Sequence, residues 1–185
     1  MIQMDARARI LAFFGTRTDE SSFAEIYRQE LPRVYNFFRF RIGDDAIAED
    51  LTSETFEKAW RSRAQYRNDR AAFTTWLFTI AQRVLVDHLR KNKTVIPLEA
   101  LHELPADETT EDEILNQADF IRLNVLLAQL ADRDRELVAL RYGAGLTNRT
   151  IARLTGLSES NVGVLLHRAV QKLRQEWREE EERTA

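Results

Sequence analysis

Leu146 to Arg174, LTNRTIARLTGLSESNVGVLLHRAVQKLR, decides the reading of this chain. It reads as two helices separated by a tight turn. Thr147 suits the cap of the first helix, because its hydroxyl can accept a hydrogen bond from an otherwise unpaired first-turn N–H. Gly156 stands where that helix must stop, since a residue without Cβ enters the left-handed conformation cheaply. Ser158 offers a second cap, and a long helical pattern follows it. Ala152, Gly156 and Val162 supply the small residue, turn glycine and core aliphatic of a helix-turn-helix. A bland helical hairpin needs no such trio, so this segment points to DNA.

Outward from it, the rest of the chain also reads as helical. Six glycines and three prolines in 185 residues, with no Asn-Gly between alternating apolar runs, leave no β-hairpin signal. Hydrophobic residues make up 44%, enough for packed cores. The absence of cysteine excludes disulfides, thiol redox sensing and cysteine–zinc sites. His88, His102 and His167 lie far apart without metal-ligand spacing, and no metal or other cofactor is expected. No apolar run approaches a membrane span, and Ile10 to Phe14 is too short for a signal-peptide core, so the expected location is cytoplasmic.

The net charge of −3 is unusual for an independent DNA binder, and its distribution says more than its sum. From Arg61 to Lys93 there are eight basic residues against Asp69 and Asp87. Thr94 to Asp119 holds eight acidic residues and no Lys or Arg. Leu146 to Arg178 has six basic residues against Glu159 and Glu176. Two basic blocks flanking an acidic segment suggest two nucleic-acid contacts joined by a connector that either avoids nucleic acid or is simply a soluble tether.

Five segments follow. Residues 1–22 form an N-terminal extension with an amphipathic pattern at Ile10, Leu11, Phe13 and Phe14. Residues 23–92 form a helical domain. Its first pattern carries Phe23, Ile26, Tyr27, Leu31, Val34, Tyr35 and Phe38, with a kink or break expected at Pro32. Gly43, Asp44 and Asp45 make a turn into a helix over 46–63, and the loop Gln65 to Arg70 precedes another over 71–90. That last helix is expected to bury Phe73, Leu77, Ile80, Ala81, Val84 and Leu89, with Trp76 read as core. Residues 93–112 contain Pro97 and Pro105 and read as the acidic linker. Residues 113–178 form the second domain, with helices over 114–130 and 133–141, the latter capped by Asp132, ahead of the helix-turn-helix. Residues 179–185 are an acidic tail, Glu179 to Glu182 being a solvated helix end. The expected fold is all-α, two small helical domains on a flexible linker.

Ala48 to Arg61, AEDLTSETFEKAWR, is by its residues an amphipathic helix with Glu49, Asp50, Ser53, Glu54, Glu57 and Lys58 on its polar side. This block, FTTWLFTIAQRVLVDHLRK from Phe73 to Lys91, and the terminal helix-turn-helix stand in one order and spacing. The chain in this respect resembles bacterial RNA polymerase sigma factors, in particular the extracytoplasmic-function group of the sigma-70 family. The resemblance covers roughly Phe23 to Arg174. It implies a transcription initiation factor without enzymatic activity. The implied partners are core RNA polymerase (its β′ clamp helices and β subunit), promoter DNA, and an anti-sigma factor.

By that resemblance Asp50, Ser53, Glu54 and Glu57 face the polymerase, although the family often has glutamine where Ser53 stands. The loop and the next helix correspond to the segment that reads the −10 element as a melted strand. There Tyr66 suits base stacking, and Asn68 suits either base recognition or a turn. Arg67 and Arg70 suit phosphates, and Arg83, Arg90 and Lys91 extend that surface. Val162, Leu165 or Leu166, Ala169 and Leu173 should be buried in the last domain. Ser160, Asn161, Gly163, Val164, His167, Arg168 and Gln171 are then left to face the −35 duplex, with Arg149 and Arg153 on phosphates. Gly163, Val164 and Leu165 depart from the basic or polar residues common in the family. Gly163 permits close backbone approach, and Val164 can touch a thymine methyl. The alternative is a free-standing helix-turn-helix regulator acting without polymerase. Against it stand the acidic net charge and the −10-like block. No paired catalytic groups, phosphate-binding glycine loop or cofactor motif supports an enzyme.

Overall fold

The structure is a computed structural model and describes residues 20–63, 66, 72–92 and 111–184. The N-terminal pattern around Ile10 to Phe14, most of the loop Gln65 to Arg70, and residues 93–110 lie outside the described residues. The described part is helical, with no strand. Among the described residues seven α-helices run in order: α1 Glu20–Ile42, α2 Asp45–Ser62, α3 Phe73–Lys91, α4 Glu111–Ala128, α5 Asp132–Val138, α6 Asn148–Thr155 and α7 Glu159–Thr184. A π-helical turn, Ala139–Gly143, continues α5.

Helices α1 to α3 share one aromatic core. Tyr27, Val34 and Phe38 recur at helical spacing on α1 and are buried, joined by Phe37. The Tyr27 ring meets Phe56 edge-on at 4.6 Å, and Phe37 meets Phe78 of α3 at 5.8 Å. The buried hydroxyls of Thr52 and Thr55 donate to Ala48 O (2.6 Å) and Leu51 O (2.7 Å), which removes the cost of covering them. Asp44 caps α2, accepting from the Ile47 amide at 2.9 Å.

One sequence expectation changes, at Asp132; at Pro32 the break is absent, and the acidic run is the exposed helix end expected except at Glu180. Helix α1 runs through Pro32 without a break. Pro32 lies on the exposed side, as does Arg28, whose carbonyl loses its helical donor there and can be hydrated instead. Asp132 does not cap α5: the cap is Ala131, without a side-chain bond, and Asp132 pairs with Arg41. The acidic run Glu179 to Glu182 continues α7. Glu180 is held by Arg122 at 2.9 Å, and the Arg122 guanidinium stacks 3.9 Å from the Trp177 ring.

The two halves pack against each other, and arginines supply most of the bridges. Arg33 Nε donates to Ala144 O at 2.8 Å. The buried Arg41 donates to Asp132 Oδ1 at 2.8 Å and to Asp132 O at 3.3 Å. Arg135 Nε donates to Phe40 O at 3.3 Å, and Gln82 Nε2 to Glu136 Oε1 at 2.9 Å. Arg39 lies 3.6 Å over the Phe120 ring. Burial pushes the Arg135 guanidinium down to about 10, helped by neighbouring Arg41 and opposed by Asp132. Gly143 makes the closest approach: a Cβ there would stand 2.8 Å from Asn36 O of α1.

Candidate nucleic-acid interface

The helix-turn-helix is built as its residues dictate. Thr147 caps α6 by accepting from the Thr150 amide at 3.2 Å, and Gly156 ends it with φ +73°. Ser158 caps α7 by accepting from the Asn161 amide at 3.2 Å. Ile151 and Val162 are fully buried between the helices, followed along α7 by Leu166 and Ala169, while Leu165 and Leu173 are partly covered.

That burial turns a single face of α7 to solvent. Ser160, Asn161, Val164, His167, Arg168 and Gln171 are all exposed on it. Val164 is the one large apolar residue among them, 47% exposed. Gly163 is half-covered, and a Cβ there would point towards Asn148 Nδ2 at 3.6 Å. Arg149 and Arg153 are exposed on α6. Arg149 lies 3.7 Å from Glu159 in the first turn of α7. Glu159 was absent from the sequence reading of this face, yet an acid directly after a Ser cap is readable as a first-turn residue.

In the first half, Tyr66 is half-buried in an aromatic trio. Its ring meets Phe73 edge-on at 5.4 Å and Trp76 at 5.2 Å, with Phe73 and Trp76 5.3 Å apart. Arg67, Asn68 and Arg70 lie outside the described residues. Arg83, Arg90 and Lys91 are exposed on α3, with Arg90 3.2 Å from Asp87. Sequence reasoning also missed Glu30. This buried carboxylate accepts from Thr74 Oγ1 (2.7 Å) and Arg33 Nη1 (3.0 Å), and so ties α1 to the start of α3. The signal was an acid on an otherwise apolar helix side, three residues before Arg33.

On α2, Asp50 and Glu57 are exposed, and Ser53 and Glu54 are half-buried. Glu54 pairs with Lys58 at 2.7 Å, and Glu57 pairs with Arg61. Ser53 Oγ is covered and has no hydrogen-bond partner among the described residues. Among the described residues no cluster of His, Cys, Asp or Glu could hold a metal, and no helix is long and apolar enough to cross a membrane.

Comparison with known proteins follows the same division of the chain. Residues 26–95 match Sigma-70 region 2, and residues 120–173 match Sigma-70, region 4. The ECF RNA polymerase sigma factor BldN of Streptomyces coelicolor is 32% identical over 158 residues, covering 84% of this chain. The chain spans 60% of that relative's length. The ECF RNA polymerase sigma factor RpoE of Cereibacter sphaeroides is 29% identical, covering 85% of this chain and 87% of its own. Two solved structures share the fold. One is the sigma factor RpoE with the anti-sigma factor NepR from Bartonella quintana, with TM-score 0.66, 22% identity, and 83% and 95% of the two chains covered. The other is CnrH with the cytosolic domain of CnrY, with TM-score 0.60, 20% identity, and 94% and 96% covered. Both sigma-70 regions, in order and each on its own helical unit, place the chain in a family: it belongs to the extracytoplasmic-function group of the sigma-70 family of sigma factors.

Proposed function

We propose that this protein is a transcription initiation factor that binds core RNA polymerase and directs it to a subset of promoters. It reads the −10 element as a melted strand through Tyr66, Arg67, Asn68, Arg70, Arg83, Arg90 and Lys91. It reads the −35 element as duplex through α7, with Arg149 and Arg153 on phosphates. The acidic side of α2, with Asp50, Ser53, Glu54 and Glu57, docks on the polymerase. The observation that carries this reading is the order of the two sigma-70 regions, the second of which leaves a single polar face of α7 open to solvent.

Scale sets one condition. Twenty-five base pairs at ~3.4 Å span ~85 Å, whereas a compact chain of this size is ~40 Å across. Reading both elements together therefore requires the two halves to part. Residues 93–110 can bridge at most ~60 Å, which suffices once each half adds its own width. A protein that holds the halves closed would inhibit the chain. The complexes of related folds with NepR and CnrY make such an anti-sigma factor part of the proposal.

The test is run-off transcription from promoter fragments with core polymerase, with and without the chain. New promoter-specific transcripts are expected. Tight duplex binding without polymerase association would replace this reading with a free-standing regulator. Within the same assay, Asn68→Ala should impair open-complex formation and leave polymerase binding nearly intact. An equal loss of both would misplace the melting loop.

A further inference from the structure

The open face of α7 has an apolar centre. Val164 is 47% exposed between Ser160 and Asn161 on one side and His167, Arg168 and Gln171 on the other, all exposed. The buried side of the same helix is already filled by Val162, Leu166 and Ala169, so Val164 has no role in closing the domain core. Beside it Gly163 carries no side chain, and its Cβ position meets nothing closer than 3.6 Å. A valine has no donor or acceptor with which to read a base edge. In the major groove the apolar group available to it is the C5-methyl of thymine. Asn161 stands one turn earlier on the same face, and residues three apart on a helix lie about 5–6 Å from each other at Cβ. That separation places the two side chains over the same or adjacent base pairs. An asparagine amide matches adenine through N6 and N7.

We infer that Val164 and Asn161 form an A·T-reading pair, so that the specificity of α7 rests on a thymine methyl and an adenine edge rather than on guanine. The inference rests on the −35 reading above and names the base chemistry that face selects. Arg168 and the α6 arginines then supply backbone contacts that carry no sequence information. Arg149 leaves Glu159 to make such a contact, and the surface pair it gives up is worth little.

The test uses the holoenzyme and duplex pools with a randomised upstream segment. Bound duplexes are recovered and sequenced, then resynthesised with uracil replacing each thymine of that segment in turn. Uracil pairs as thymine does but lacks the methyl. The expected result is recovery of a segment with fixed A·T pairs, in which one or two replacements weaken binding by about fourfold, the effect of one buried methyl-sized group. Val164→Ser should abolish that methyl dependence, and Asn161→Ala should relax selection at the adjacent adenine. Val164 is outside the core, so unchanged helicity is expected for the serine variant. A fixed G·C segment, or binding indifferent to every uracil, overturns the inference while leaving duplex recognition standing. So does methyl dependence that survives Val164→Ser. Recovery of no fixed upstream segment overturns both.

Discussion

Replacing Gly143 by alanine should destabilise the protein, whereas the same replacement at Gly163 should stabilise it. Both glycines are helical and neither has the positive φ that penalises a side chain, so their difference is one of space. A Cβ on Gly143 would stand 2.8 Å from Asn36 O, 3.1 Å from Asn36 C and 3.3 Å from Phe37 N. These are backbone atoms of α1, anchored by the fully buried Phe37 and Phe38, and they cannot step aside as a flexible side chain would. The π-helical turn must instead move off α1, loosening the adjacent Arg33–Ala144 hydrogen bond. Overpacking of this kind costs about 1–3 kcal/mol. Because the atoms met are backbone, the upper part of that range, about 2–3 kcal/mol, applies; alanine's better helix propensity returns about 0.5–1 kcal/mol, leaving a net loss of about 1–2.5 kcal/mol.

At Gly163 the nearest atom is the Asn148 side-chain nitrogen at 3.6 Å, an ordinary contact. Only the propensity gain of about 0.5–1 kcal/mol remains. Urea unfolding followed by circular dichroism measures both. For slopes of about 1–3 kcal/mol/M, Gly143→Ala should lower the midpoint by roughly 0.5–1 M, and Gly163→Ala should raise it by a few tenths. Should the halves separate before they unfold, the Gly143 variant will show two steps where the parent shows one. Gly143→Ala as stable as the parent would refute the close approach of the π-turn to α1, and with it the packing of the two halves. A destabilised Gly163 variant would refute the open space beside α7.

Three further outcomes follow from the same geometry. Asp132→Ala strands the buried Arg41, whose Nε already lacks a partner among the described residues. Because Asp132 itself is 84% exposed, the loss should be about 1–2 kcal/mol rather than the ~3–5 of a fully buried pair, while Arg41→Met should cost less. Urea midpoints no more than a few tenths of a molar apart from the parent's would refute this. Tyr35 is pushed up to about 12, first by burial and then by Asp45, which also accepts its hydrogen bond. The folded state thus holds its proton longer than the unfolded chain. The stability this confers is present below pH 10 and is lost as pH rises from 10 towards 12. Near-ultraviolet titration of tyrosinate should show one of the four tyrosines ionising last, and Tyr35→Phe should remove that step; its persistence would place the shift elsewhere. Thr147→Ala should cost about 1 kcal/mol through loss of the α6 cap, and Thr147→Ser should restore it. Equal thermal midpoints for the three proteins would deny the cap any weight.

Local rules carried most of the helix-turn-helix. Thr147, Gly156 and Ser158 act on backbone groups within four residues of themselves, so their roles could be read without knowing the fold. Phe37 and Phe78 could not be read this way. Each lies outside the single stripe inferred for its helix, because α1 and α3 are packed on more than one side and a wider arc is buried. Asp132 obeyed no local rule, since Arg41, 91 residues earlier, offered a stronger partner than the α5 N-terminus. The π-helical turn was likewise out of reach. The reason for a glycine at 143 is the carbonyl of Asn36, brought there only by the packing of the two halves. For the residues proposed to read the promoter, composition gives two basic blocks. The separation of α7 into a buried and an open side gave the second block its face.

The nature of the contact between the halves bears on how they can part. Its bridges are guanidinium and amide groups meeting backbone carbonyls and carboxylates: Arg33 with Ala144, Arg41 with Asp132, Arg135 with Phe40, and Gln82 with Glu136. Each of these groups is hydrated again when the contact opens, so a typical bridge holds by only about 0.5–1.5 kcal/mol, or about 1.5–3 where a charge takes part. The contact is mixed: these polar bridges flank apolar packing, with Phe40 edge-on to Phe120 at 5.6 Å and the buried side chains of both halves in one cluster, so opening must also expose apolar surface. The α1 arginines Arg33, Arg39 and Arg41 serve these bridges, away from the basic loop and helix that face DNA in the proposed reading. In that reading the basic residues of α3 and α7 are the ones left for the promoter.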